Sequence, residues 1–306
     1  MASETIEYGG FRSNLTSAGW TSLGVFRCGL MVMVSIPLLL FQAIMIRLPG
    51  PFWWFGAGLW HRTMCSILGI EIRISGEVAT GGPVLFAANH TGWLDIIVLG
   101  GRLKNASFVA KSEMANWGFV ATMCRMHKTV FINRTRRSDA KRQAERLTSR
   151  VQSGHSLILF PEGTSTHGVH VSPFKSSLFS IAERADEASD HNLLIQPVTV
   201  AYSEINGMPV LRSQKPLIAW LGDVELFDHL RQFMALSRTV VTLEFHEPLS
   251  LADVGTRKEL AKRCEEIVCS GLERAHRLEM RMGPQRIALL SPPAETPAQS
   301  LLPDHT

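Results

Sequence analysis

An α/β domain built on a central, mostly buried sheet is what this 306-residue sequence predicts. Short runs of strand-forming residues alternate with helical patterns from about residue 68 onward. Two of those runs, "PVLFAA" (83–88) and "SLILF" (156–160), are continuously apolar, as strands covered on both faces are. Ahead of them, "GLMVMVSIPLLLFQAIMI" (29–46) runs eighteen residues without a charge, so a membrane helix region precedes the domain.

Residues 1–25 are polar and weakly patterned, a flexible lead-in. A membrane-anchoring region follows over 26–60. Its apolar run is bracketed by Arg27 and Arg47, carries Pro37, and leads into the aromatic cluster "PFWWF" (51–55), suited to an interface. The pattern leaves open whether it spans the bilayer or dips into one leaflet. Glu4, Glu7 and the lack of a small-residue cleavage site argue against a secretory signal. The α/β domain occupies 61–255, with strands in "IEIRIS" (70–75), "PVLFAA", "TVFIN" (129–133), "SLILF", "LLIQPVTVAY" (193–202) and "TVVTLEF" (239–245). Helices are expected near 93–103, 113–125, 136–152 and 174–188. Residues 256–282 read as an amphipathic helix, and 283–306, with five prolines, as a disordered tail.

Hydrophobic residues make up 45% of the chain and charged ones 19%, and the net charge is +4. That small excess suits an anionic membrane surface or a phosphate-bearing ligand and lacks the density of a nucleic-acid binder. The five cysteines form no CxxC pair, so neither structural zinc nor a disulfide framework is expected, and a reducing compartment fits.

The chemistry concentrates at strand ends. "VLFAANHTGWLD" (84–95) takes a buried strand into His90 and places Asp95 five residues later. In a strand the two would lie ~17 Å apart on opposite faces. In a helix they would sit about 140° apart around the axis. A strand-to-helix turn lets them meet, with Gly92 permitting a tight backbone and Asp95 holding one ring nitrogen while the other acts as a general base. On this pair alone, a loop histidine beside a helix-start aspartate is the commoner arrangement, since both residues are frequent at such ends. In "LILFPEGTSTHG" (157–168) a strand breaks at Pro161 and presents Glu162, Gly163, Thr164 and Ser165, a turn whose N–H groups suit an anion or oxyanion. "TVFINR" (129–134) delivers Arg134 at a strand end, where a guanidinium can clamp an anion. "SPFKSSLF" (172–179) leads Lys175 into a helix.

In this order, "NHTGWLD", "FINR", "FPEGTS", "PFK" and "IQPV" resemble the glycerolipid acyltransferase family, typified by 1-acylglycerol-3-phosphate acyltransferases, over roughly residues 55–250. The resemblance implies a two-layer α/β fold and acyl transfer from a thioester of acyl carrier protein or coenzyme A to a lysolipid hydroxyl. It implies no bound cofactor or metal, no nucleic acid, and a membrane-associated enzyme whose catalytic domain faces the cytoplasmic side of a bacterial inner membrane. It assigns His90 as the base and Asp95 as its orienter, with Arg134, Glu162, Gly163, Thr164 and Lys175 around the acceptor's polar head. No GxSxG elbow occurs, which disfavours a serine nucleophile. The sequence departs from the common pattern at Gly92, where the family more often has serine. It departs again in "FKSSLF", and in "GTSTHG", which lacks a basic residue after the threonine. With "IAWLGDVELFDHL" (218–230), these features are also similar to bacterial lyso-ornithine lipid acyltransferases. The motif set puts 1-acyl-sn-glycerol-3-phosphate first as acceptor and lyso-ornithine lipid second. A membrane-anchored lipid-binding protein without turnover is the reading from another class, and it has no need of His90 and Asp95.

Two features carry less. His167 and His170 have i,i+3 spacing but no third ligand nearby, and read as loop histidines. "RTRRSDAKRQAER" (134–146) reads as a solvated helix face.

Overall fold

The computed structural model describes residues 19–133, 140–188, 193–222 and 225–289. Residues 1–18, the strand-end Arg134 and residues 290–306 lie outside the described residues, while helix reaches back to Ser22 within the expected lead-in and on to Leu289 within the expected tail. A single mixed sheet organises the rest, made of β1 (Ile70–Ser75), β2 (Val84–Ala88), β3 (Ala106–Lys111), β4 (Val130–Ile132), β5 (Ser156–Leu159), β6 (Leu194–Ile205), β7 (Met208–Pro209) and β8 (Thr239–Phe245). The strand order is β1-β8-β6-β2-β5-β3-β4, with β7 paired to β6. The five strands β6, β2, β5, β3 and β4 run parallel, whereas β8 is antiparallel to β6 and parallel to β1. Parallel strands put the C-terminal ends of β2, β3, β4 and β5 at one edge of the sheet, where a ligand crevice forms in open α/β sheets.

Strand β2 shows why the sheet is buried on both sides. Val84, Phe86 and Ala88 join one core with Met64, Leu94, Val98 and Phe233, while Leu85 and Ala87 join another with Leu147, Phe179, Ile181 and Leu260. The helices behind the first core are α2 (Phe52–Ile67), α3 (Trp93–Gly100) and α7 (Leu226–Met234). Those behind the second are α5 (Ala140–Gln152), α6 (Ser180–Ala188) and α9 (Arg257–Leu289). The α/β fold and its buried central sheet are as the sequence predicts. Beyond the sheet and one helical layer of the two-layer expectation, α5, α6 and α9 supply a second. Each fully buried large side chain, Trp53, Phe179 or Phe233 for instance, contributes about 1.5–3 kcal/mol relative to exposure.

Several elements differ from expectation. The strand β3 is not evident in "ASFVAK" alone, because a short run after Asn105 lacks alternation; β5 supplies the pairing that makes it a strand. The cluster "PFWWF" opens α2, which continues through residue 60 into the domain, with Trp53, Trp54, Met64 and Cys65 buried. The expected helix at 113–125 is a 3₁₀ turn (Ser112–Asn116) followed by α4 (Gly118–Met126). Helix α8 (Leu251–Val254) is a single turn.

Helix α1 (Ser22–Met45) starts at Thr21, whose hydroxyl accepts the Gly24 N–H at 3.0 Å. It is long and apolar enough to cross a membrane. Three of its polar residues nevertheless point toward the domain. Arg27 is buried and donates to the carbonyls of Met234, Leu236 and Ser237 at the end of α7. Ser35 accepts the Trp60 indole N–H at 3.0 Å, and Gln42 donates to the Met126 carbonyl at 2.6 Å. The opposite face exposes Phe26, Met33, Ile36, Leu40 and Ile44, beside Phe52, Phe55 and Leu59 of α2. The helix is thus tied along its length to the domain and turns an apolar surface outward.

Candidate active site

The turn after β2 is held from both sides before His90 is reached. Asn89 is buried, and its amide makes both hydrogen bonds that a strand residue would make to Val200: Nδ2 donates to the Val200 carbonyl at 2.9 Å and Oδ1 accepts its N–H at 2.8 Å. The His90 N–H donates to Glu162 Oε1 at 2.6 Å, and the His90 carbonyl accepts from the Thr166 N–H at 2.8 Å and hydroxyl at 3.1 Å. The imidazole stacks on Phe160, with ring centroids 4.0 Å apart, and its side chain stays 20% exposed.

Asp95 lies in the first turn of α3 and folds back, as a capping carboxylate does. It is fully buried and accepts five donors. Oδ2 takes His90 Nδ1 at 2.8 Å, the Thr91 N–H at 2.6 Å and the Gly92 N–H at 3.0 Å. Oδ1 takes the Thr91 hydroxyl and the Tyr202 hydroxyl, both at 2.8 Å. Burial alone would raise this carboxyl. The His90 ring and the N–H groups of Gly92 and Thr91 outweigh burial and hold it below the usual aspartate value. An ionised Asp95 accepts the proton on Nδ1, which leaves Nε2 with its lone pair, the state a general base needs. Burial and the Asp95 charge push Tyr202 well above its ordinary range, so its hydroxyl remains a donor.

Gly92 lies against Trp220, whose N–H donates to the Thr91 carbonyl at 2.9 Å. A Cβ at residue 92 would come within 3.0 Å of the Trp220 nitrogen. A serine there would press on the Trp220 backbone, a contact that glycine avoids. Trp117, 45% exposed, meets Trp220 edge-on at 6.5 Å.

Turn 160–163 carries Pro161 at its second position and closes with a hydrogen bond from Gly163 N–H to the Phe160 carbonyl at 3.1 Å. The structure gives Glu162 a different task from the headgroup contact expected of it. Both oxygens serve the protein's own backbone: Oε1 the His90 N–H, Oε2 the Ser172 N–H at 2.7 Å. Burial pushes its carboxyl up to about 7, against the pull of those two donors. Gly163 is buried with φ +78°, a backbone suited to glycine. Thr164 and Lys175 are exposed near it, and the Lys175 N–H donates to the Pro161 carbonyl at 2.9 Å. Strand β4 points toward the same end of the sheet, but Arg134 beyond it lies outside the described residues. Lys111 ends the neighbouring strand, opposite Ile132. His167 lines a small cavity with Thr91, Tyr202 and Lys215. Among the described residues no three His, Cys, Asp or Glu side chains are grouped to hold a metal.

The structure brings together His90, Asp95 and the 160–163 turn, which the sequence singles out, and adds Asn89, Thr166, Tyr202 and Trp220, which it does not. Asn89 had a signal, a buried-strand end immediately before the histidine. For Tyr202 there was none, because nothing in linear spacing ties residue 202 to residue 95.

Residues 69–201 match the model of a family described as Acyltransferase. A lyso-ornithine lipid O-acyltransferase of Brucella abortus is 35% identical over 80% of this chain and 92% of its own length. One from Rhodobacter capsulatus is 38% identical over 69% and 73%. A 1-acyl-sn-glycerol-3-phosphate acyltransferase of Neisseria gonorrhoeae is 29% identical over 66% and 73%. Among solved structures, a 1-acyl-sn-glycerophosphate acyltransferase of Thermotoga maritima superposes with a TM-score of 0.60 at 21% identity, over 85% of this chain and 94% of that one, which establishes a shared fold. The chain belongs to the acyltransferase family and is an acyltransferase.

Proposed function

We propose that the protein transfers an acyl chain from an acyl thioester to the hydroxyl of a lysolipid, with His90 as general base and Asp95 as its orienter. The observation that carries this reading is the pairing of a partly exposed imidazole with a fully buried, ionised carboxylate. In this mechanism His90 Nε2 takes the acceptor's O–H proton as the oxygen attacks the thioester carbonyl carbon. The tetrahedral oxyanion collapses, the C–S bond breaks, and the departing thiolate takes the proton from His90 Nε2. Atoms and charge balance without a cofactor. The donor is an acyl carrier protein or coenzyme A thioester.

Lyso-ornithine lipid is the acceptor we favour. Four relatives with that name are 32–38% identical to this chain, against 29% for the Neisseria gonorrhoeae 1-acyl-sn-glycerol-3-phosphate acyltransferase. The turn "GTSTHG" also carries less positive charge than a phosphate monoester calls for, which suits a headgroup bearing its own ammonium beside a carboxylate. 1-Acyl-sn-glycerol-3-phosphate, favoured by the motif set, is the second reading. Arg134 is the cation assigned to the headgroup's anionic end and Thr164 and Lys175 are further headgroup contacts, while Glu162 and Gly163 shape the 160–163 turn. The buried Arg27 and Gln42, which tie α1 to the domain, support an outward apolar face of α1 and α2 that rests in one leaflet; the side of the membrane proposed is the cytoplasmic one.

The test is turnover of purified protein in detergent with labelled acyl donors and a panel of lysolipids. His90→Ala should lower turnover by roughly 10²–10⁴ with folding intact. A well-folded His90→Ala protein with wild-type rates would remove the base. Acylation of 1-acyl-sn-glycerol-3-phosphate alone would reverse the acceptor ranking.

A further inference from the structure

Tyr202 reaches the dyad from a strand that carries none of the motif residues except Pro197. It sits in β6, buried at 3% exposure, and its hydroxyl donates to the Asp95 oxygen that His90 does not use. A carboxylate has about four lone-pair sites. Asp95 meets five donors, so it is held in one orientation, and the two on Oδ1 are both hydroxyls, from Thr91 and Tyr202. The Thr91 donor belongs to the turn itself and moves with it. The Tyr202 donor is fixed independently, in the central sheet between β2 and β8.

We infer that Tyr202 is a positioning residue of the acyl transfer: its hydroxyl fixes the Asp95 carboxylate against the sheet and draws off part of its charge, and so sets the orientation and basicity of His90. The inference rests on the reading of His90 as the base. A rigid carboxylate holds the imidazole in the plane from which Nε2 can reach the acceptor hydroxyl. A carboxylate that shares its charge with a phenol binds the imidazolium less tightly than a bare one would, which keeps Nε2 available at lower pH. Among the described residues, four further titratable groups lie about the dyad and Tyr202. Glu162 approaches the His90 N–H from the turn after β5, its carboxyl pushed up to about 7 by burial. Cys65 of α2 faces Tyr202 as a neutral thiol, pushed up to about 11 by burial. Lys215 and His167 line the small cavity beside Tyr202 and Thr91.

The experiment uses the full chain in detergent with lyso-ornithine lipid, 1-acyl-sn-glycerol-3-phosphate and the acyl thioester that supports wild-type turnover. Tyr202→Phe keeps the ring and deletes the donor. The expected result is a kcat lower by about tenfold, the scale of one hydrogen bond to a charged group, with KM for the acceptor within about twofold of wild type. The acid limb of kcat/KM should move to higher pH, because the unshared carboxylate holds the imidazolium proton more tightly. A purely structural tyrosine would change the Tm and leave kcat and the pH limb where they were, and that outcome overturns the inference. Thr91→Val deletes the other Oδ1 donor and gives an independent arm. If both act through Oδ1, the double variant's loss in kcat departs from the product of the single losses, whereas a plain product removes the shared mechanism. His90→Ala separates the two readings. Near wild-type rates there overturn the base itself, while an inactive His90→Ala beside a fully active Tyr202→Phe overturns the role of Tyr202 alone.

Discussion

Glu162 and His90 are joined through the backbone rather than through the ring: the carboxylate accepts the His90 N–H at 2.6 Å across 72 residues of sequence. One acid side chain therefore ties the turn that carries His90 to the turn after β5.

That bond has a measurable pH signature. With its carboxyl raised from 4.5 to about 7, mainly by burial, Glu162 keeps in the fold a proton that the unfolded chain has released. Its contribution to stability is full below the usual glutamate range and is lost as pH rises towards 7. Glu162→Gln is neutral throughout. The Tm of wild type relative to Glu162→Gln should fall as pH goes from about 4.5 to about 7. A constant difference over that window would mean a carboxylate ionised across all of it.

Asp95→Asn changes charge with almost no change of shape. The amide offers a donor where His90 Nδ1 and the Gly92 N–H need an acceptor, so the ring loses its tautomer and its hold. Turnover should fall by about 10²–10⁴. Retained activity with a native melting profile would dissolve the dyad.

At Gly92 the expectation runs against the common family residue. Introducing serine brings a Cβ to 3.0 Å from the Trp220 nitrogen and 3.1 Å from its Cβ, and the loop must yield. Gly92→Ser should reduce kcat severalfold, about 1 kcal/mol of barrier, and should alter the near-ultraviolet signal of the Trp117–Trp220 pair. A more active serine variant would show that this contact is slack.

Arg27 tests how α1 is held. Replacing it with Met leaves the carbonyls of Met234, Leu236 and Ser237 without their donor. Hydrogen bonds to a charged group are worth about 1.5–3 kcal/mol each, so at least one such loss should appear as a lower Tm. Leu40→Glu, on the exposed face, should leave the Tm unchanged and weaken flotation with anionic vesicles. Vesicle binding that survives Leu40→Glu combined with Met33→Glu would place the contact surface elsewhere.

The amino-acid order by itself determined the α/β class, six of the eight strands, the apolar character of α1 and the two turns that carry His90 and Glu162. These are local properties: a buried parallel strand must be apolar at consecutive positions, and a tight strand-to-helix turn needs particular residues at fixed offsets. Tertiary structure decided what has no local signature. Strand β3 needed β5 beside it, and Arg27 reads as a flanking charge until the end of α7 arrives to be capped. Glu162 was placed at the headgroup by the family resemblance, whereas the 160–163 turn closes over the His90 and Ser172 amides and buries it. Tyr202 joined Asp95 only when β6 was laid beside β2, since a pairing register across 107 residues is set by the packing of two buried faces, which no window of sequence contains.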